Sequence, residues 1–337
     1  MQTIEAISKF KIGITGKNMF LSAYTLSYGN WTVIPSHWER SFADMRENGF
    51  DAVDLSFSES EAMYSMRAIE QQIALAHKHG LKVLLIPSRF AGRFAGAPFM
   101  TSNFSAAHPE WQLPGVPGCC CIDVPEVLQA SVEFIEMIVK SFDLDGLILD
   151  EPKEAETASS HPATIARYGH PGTQAEARLS MLDYLQQLID AAKKCRPDLS
   201  ITLFNMPHTS SDFTRQAAAL KEIDYAGFDG TLCGKSYFHE EVCRNKTPVM
   251  ELWHRTCEEA AGKCGTFALL ENILIPASEH DNYCRELETT LELIAPDHLA
   301  CYYYGHNNED PEYIQKITMQ AIRNIKNKTL FPTKVGK

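Results

Sequence analysis

Three observations predict an α/β chain that closes into a single (β/α)8 TIM barrel with long loops after strands 3 and 4. Short apolar runs alternate with amphipathic helical patterns from residue 10 to residue 326, the signature of repeated βα units. The runs themselves, such as Leu147-Ile148-Leu149, lack polar alternation, as strands covered on both faces do. The chain has 337 residues, within the size of one such barrel, and no serine, glycine or charged linker divides it. Residues 1–337 therefore read as one barrel.

The first strand is expected at 10–15, with a helix at 36–48 after a long loop. Strand two, 52–56, leads into a helix at 59–79, where Met66, Ile69, Ile73 and Ala76 recur at helical spacing until Gly80 ends it. Strand three is 81–87. A helix at 125–142 sets Val127, Phe134, Ile135, Ile138, Val139 and Phe142 on one face. Strand four, 147–150, stops at Pro152, which has no backbone donor. The helix at 174–194 turns Leu179, Leu182, Leu185, Leu188 and Ile189 inward, and Pro197 closes it before strand five at 200–205. Strand six is 225–229, followed by a helix near 237–244, and strand seven is placed at 249–253, after Thr247-Pro248. A helix at 279–294 precedes strand eight, 299–304. The last helix, 310–326, has Asp310 as N-cap and Pro311 at its first position.

The formal net charge of -12, with no lysine or arginine run, argues against nucleic acid and membrane as partners and leaves homo-oligomer formation open. No apolar stretch is long enough to span a bilayer, and residues 1–10 lack the apolar core of a secretion signal, so a cytoplasmic location is expected. Ten cysteines include no Cys-x-x-Cys pair and three that are adjacent, Cys119 to Cys121. Reduced thiols without a structural metal are the expectation, and no cofactor is implied.

In such a barrel the reacting groups sit at the C-terminal strand ends. Candidates there are Asp54, Arg89, Asp150, Glu151, Asn205, His208, Asp229, Glu251, Trp253, His254, Tyr303 and His306, with Trp111 in the loop after strand three. The set is rich in acids, amides and aromatics and has no phosphate cradle. It suits a carbohydrate, whose hydroxyls take Asp, Asn, His and Arg and whose C–H face takes an indole such as Trp253 or Trp111. Hydrolysis of a glycosidic bond needs two carboxyl groups across that bond, and Glu151 and Glu251 are the expected pair.

The motif Asp150-Glu151-Pro152 resembles the Asn-Glu-Pro that ends strand four in the clan of retaining glycosidases on (β/α)8 barrels, which includes β-galactosidases, β-mannanases and cellulases. Met250-Glu251-Leu252-Trp253 resembles that clan's strand-seven nucleophile motif. His108-Pro109-Glu110-Trp111 and 121–127 resemble segments of glycosidase-like bacterial barrels. The resemblance implies a glycoside hydrolase with Glu151 as acid/base and Glu251 as nucleophile. Asp150 departs from the clan's asparagine, and its charge beside Glu151 raises at least one pKa of the two.

Three other assignments stay open. A second branch of barrel glycosidases uses an aspartate on strand four and another on strand six, here Asp150 and Asp229. A divalent-metal sugar isomerase or epimerase could recruit Glu151, His208, Glu251 and His254. A saccharide-binding barrel without turnover is the third. The long connection 88–122 reads as a binding loop, in which Arg89 and Arg93 can meet an anionic sugar substituent unless they pair with surface acids.

Overall fold

A computed structural model describes residues 19–25, 34–96, 101–229, 249–305 and 308–330. Its eight strands are β1 (Phe20–Thr25), β2 (Ala52–Phe57), β3 (Lys82–Pro87), β4 (Gly146–Asp150), β5 (Ser200–Asn205), β6 (Tyr225–Phe228), β7 (Gly265–Leu270) and β8 (His298–Tyr302). They pair in chain order, all parallel, and β8 returns to β1, closing a single (β/α)8 barrel. Alternation along each strand sorts the side chains. One parity fills the barrel interior with Tyr24, Ala52, Leu84, Ile86, Ile148, Phe204, Phe267, Leu269, Ala300 and Tyr302. The other parity, including Leu21, Val53, Leu85, Leu147, Leu149 and Leu203, packs against the helices.

A fourfold device knits the N-terminal face. The residue just before each even-numbered strand is an aspartate: Asp51, Asp145, Asp224 and Asp297. Each carboxylate accepts the backbone N–H of the second residue of the preceding strand, Leu21, Val83, Ile201 and Thr266, at 2.8–2.9 Å. Each carbonyl then accepts the N–H that opens the next odd strand, from Lys82, Ser200, Gly265 and Phe20, at 2.8–2.9 Å. One residue type thus holds three strands in register at four places around the ring.

Several expected elements move. The strand expected at 10–15 and the helix expected near 237–244 lie outside the described residues, and β1 is formed by Phe20–Thr25, in what reads as loop. The segment expected as strand seven is instead the start of helix Val249–Ala260. A five-residue apolar cluster is ambiguous between strand and helix, and here helical spacing wins: Trp253, Thr256 and Ala260 are buried at i, i+3 and i+7. Helix 59–79 breaks at Ser65 into Glu59–Tyr64 and Met66–Lys78. Leu179, expected inward, is 52% exposed. Among the described residues no helix is long and apolar enough to cross a membrane.

The connection after β3 is packed rather than open. It carries a short helix, Asn103–Ala107, an antiparallel bridge between Gln112 and Cys120, and buried Phe90, Phe94, Leu113, Cys119, Cys120 and Cys121. Gly92, at φ +72°, makes this possible, since a Cβ there would meet the Gly118 carbonyl oxygen at 2.1 Å.

Candidate active site

Inward parity brings three carboxyl groups to the C-terminal mouth, Asp150 at the end of β4, Asp229 after β6 and Glu271 after β7, and Glu151, of the opposite parity, joins them where the chain leaves the strand at φ 44°. Tyr24 of β1 and Tyr302 of β8 stand beside them with their rings 5.1 Å apart, edge to face. The Tyr24 hydroxyl donates to Asp150 Oδ2. Asp229 donates a hydrogen bond to Glu151, and Glu271 acts on Asp229 as a nearby negative charge. Lys153 closes an ion pair on Glu151 Oε2 and reaches Met206 Sδ at 3.6 Å.

These neighbours divide the acids. Burial first, then Glu151, pushes Asp150 up to about 7. Asp229 is raised well above the usual carboxylate range by burial, then by Glu271 and Glu151. Glu151 goes the other way: burial raises it, and the hydrogen bond from Asp229 and the charges of Lys153 and Arg89 outweigh that and lower it. Tyr302, pushed up by burial and then by Asp229, Glu271, Asp150 and Glu151, stays a neutral donor. The mouth therefore holds protonated and ionised carboxyls in contact, the arrangement that acid–base chemistry requires.

Backbone strain gathers at the same rim. Arg89 (φ 59°), Glu151 (φ 44°) and Tyr304 (φ 49°) take left-handed conformations just beyond β3, β4 and β8. Each such non-glycine residue costs on the order of 1–3 kcal/mol, and such strain clusters at functional sites.

Of the residues singled out from sequence, Asp150, Glu151, Asp229 and Arg89 come together here. Glu251 does not. It is exposed on helix Val249–Ala260, because the strand it was assigned to is helical, and His254 is exposed on the same helix. Trp253 is only 6% exposed, packed between sheet and helices, so it offers no face to a sugar. Trp111 is half-buried, its ring stacked 3.8 Å from that of His108. Asn205 has outward parity and faces the helix layer beside Thr214, Thr256 and Glu259. Tyr303 also points outward, donating to Asp44 Oδ2 at 2.6 Å. Asp54 faces inward but sits a layer below the mouth, fully buried, with Ser22 Oγ at 2.6 Å. His208 is exposed in the turn after β5, and His306 lies outside the described residues. The metal donors considered above are thus dispersed, and no three His, Cys, Asp or Glu among the described residues are arranged to hold an ion.

Sequence reasoning missed Glu271, Tyr24, Tyr302 and Lys153. A signal for Glu271 existed: Phe267-Ala-Leu-Leu270 ends in Glu271-Asn272, just as Leu147-Ile-Leu149 ends in Asp150-Glu151. The earlier placement of strand seven hid it.

No protein-family model matches the chain, and no curated protein matches it significantly. Solved structures do share its fold. A β-galactosidase from the psychrophilic Marinomonas ef1 superposes with a TM-score of 0.62 at 12% identity, over 91% of this chain and 59% of that one. GH5_18 from Streptomyces cattleya, in complex with GlcNAc, gives 0.60 at 13% identity, over 95% and 82%. The catalytic domain of β-amylase from Paenibacillus polymyxa gives 0.63 at 10% identity, over 90% and 98%. The chain spans 59% of that β-galactosidase and 50% of α-L-fucosidase isoenzyme 2 from Paenibacillus thiaminolyticus. These neighbours are glycoside hydrolases, and at such identities the likeness is one of fold.

Proposed function

We propose that the chain is a glycoside hydrolase acting on a small glycoside or oligosaccharide, with Glu151 as acid/base and Glu271, in place of Glu251, as nucleophile. The observation that carries this reading is the meeting of strand-four, strand-six and strand-seven carboxyls at one mouth in unlike protonation states. Asp229 and Glu151 hold one proton between them, so they are best treated as a pair. In the proposed first step that proton goes through Glu151 to the leaving oxygen while the Glu271 carboxylate attacks the anomeric carbon. In the second, the pair takes a proton from a water whose oxygen attacks the anomeric carbon, so that the bond to Glu271 breaks, the carboxylate is restored and the sugar leaves. Tyr24, which donates to Asp150, and Tyr302 are neutral hydroxyls beside the acids that can donate to carboxylates or sugar hydroxyls.

Hydrolysis of a panel of nitrophenyl glycosides tests the assignment. Glu151→Gln and Glu271→Gln are each expected to lower kcat by about 10²–10⁴-fold, whereas Glu251→Gln leaves it unchanged. Full activity in folded Glu271→Gln removes the assignment.

A second assignment, with Asp150 as nucleophile and Asp229 as acid, draws on the proton that Asp229 retains. Against it, burial and then the charge of Glu151 push the Asp150 carboxyl up, which disfavours the ionised form that a nucleophile needs. Asp150→Asn separates the two: a loss as deep as that of Glu271→Gln favours the aspartate pair.

A further inference from the structure

Arg93 lies outside the acid cluster, yet its side chain is among the largest that are fully buried, at 2% exposure. Among the described residues no carboxylate forms an ion pair with it. Its Nε donates to the Cys120 carbonyl at 2.7 Å and its Nη1 to the Lys153 carbonyl at 3.0 Å, while its own carbonyl accepts the Lys153 N–H at 2.8 Å. One residue therefore grips both backbone polar groups of Lys153. Two residues on, the Ala95 N–H donates to the Asp150 carbonyl at 2.9 Å, so the post-β3 segment is zipped to the backbone that carries the strand-four acids. A guanidinium held by carbonyls alone is an expensive anchor, and its planar fork is what spans two acceptors 33 residues apart, Cys120 and Lys153.

We propose that Arg93 is a positioning residue: by fixing the Lys153 backbone it holds the Lys153 ammonium on Glu151. This deepens the reading of Glu151 as a working acid and rests on it, but its test needs no substrate. The groups that act on Glu151 or are acted on by it are Lys153 and Asp150 from its own segment, Arg89 after β3, Asp229 after β6 and Tyr302 on β8, and Glu271 after β7 acts in turn on Asp229 and Tyr302. Lys153 is in direct contact with it.

Carboxyl titration by carbon NMR on the whole protein gives the decisive comparison. Lys153→Met is expected to raise the Glu151 pKa by about 1–3 units, since an opposite charge at contact distance is removed. Arg93→Lys, which keeps a positive charge but not the fork, is expected to shift it the same way by less, and the double variant adds nothing beyond Lys153→Met. An unchanged Glu151 titration in Lys153→Met, or in folded Arg93→Lys, overturns the proposal. If Arg93→Lys does not fold, side-chain hydrogen exchange in the unaltered protein decides. The proposal expects the Arg93 Nε–H and the Lys153 amide to be protected together, and free exchange of Nε–H beside a protected amide contradicts it. No glycosidase activity in the unaltered protein, with the titration shifts as expected, would count against the functional assignment and leave the positioning role standing.

Discussion

Asp54 and His298 show how much a single buried ionisable side chain can weigh. Both are fully buried within the barrel, joined through Ser22, whose Oγ lies 2.6 Å from Asp54 Oδ2 and 2.9 Å from His298 Nε2. Burial pushes Asp54 up to about 7 and His298 down to about 3, so both are held neutral. Unfolded, Asp54 ionises near pH 4. The unfolded chain therefore holds fewer protons from about pH 4 to 7, and this group lowers stability progressively across that window, by up to about 4 kcal/mol. His298 acts in reverse: the unfolded imidazole takes a proton below about 6.5 that the folded one refuses until about 3, so stability falls with pH across that range. Asp54→Asn is expected to raise Tm at pH 8 and to leave it nearly unchanged at pH 4, as scanning calorimetry will show. An equal Tm for both proteins at pH 8 contradicts the account.

The strand is the unit at which the N-terminal face is built. Asp145 Oδ2 accepts from Val83 N–H at 2.8 Å and lies 3.1 Å from His77 Nε2. Asp145→Ala strips a charge-assisted bond from the β3–β4 junction and is expected to cost about 1.5–3 kcal/mol in urea unfolding. Asp143, two residues away, has its side chain 80% exposed, and Asp143→Ala should stay within about 0.5 kcal/mol. Equal losses at the two positions would show that the fourfold aspartates carry no special weight. Legibility also differs strand by strand. The runs at β2 to β6 are buried on both faces and bounded by Gly, Pro or Asp, so periodicity found them. At β7 two apolar runs compete, 249–253 and 266–270, and only tertiary contacts decide which enters the ring.

For the molecule as a whole, closure of eight parallel strands puts groups more than a hundred residues apart onto one mouth. Asp150, Glu151 and Asp229 were readable because each follows an apolar run that does become a strand. Glu271 was lost with the strand that carries it. Tyr24 and Tyr302 read as core aromatics, since nothing in a sequence says which layer of a barrel an inward residue occupies. Asn205 and Tyr303 show the converse, as strand-end residues whose parity turns them outward. The proton shared by Asp229 and Glu151 also sets the expected pH dependence. Because Asp229 is raised well above the usual carboxylate range, kcat/KM should fall at alkaline pH as the pair loses its proton. Asp229→Asn, which removes the raised group and leaves the proton to the lowered Glu151, should move the alkaline limb to lower pH, and an unaltered limb in that variant argues against the pairing.

The most direct test of the strand-four and strand-seven assignment is azide rescue of Glu271→Gly on an activated nitrophenyl glycoside. The variant should be inactive alone and should form a glycosyl azide of inverted anomeric configuration when azide fills the space left by the carboxylate. Wild-type turnover by folded Glu271→Gly without azide, or rescue of Asp150→Gly and not of Glu271→Gly, would contradict it.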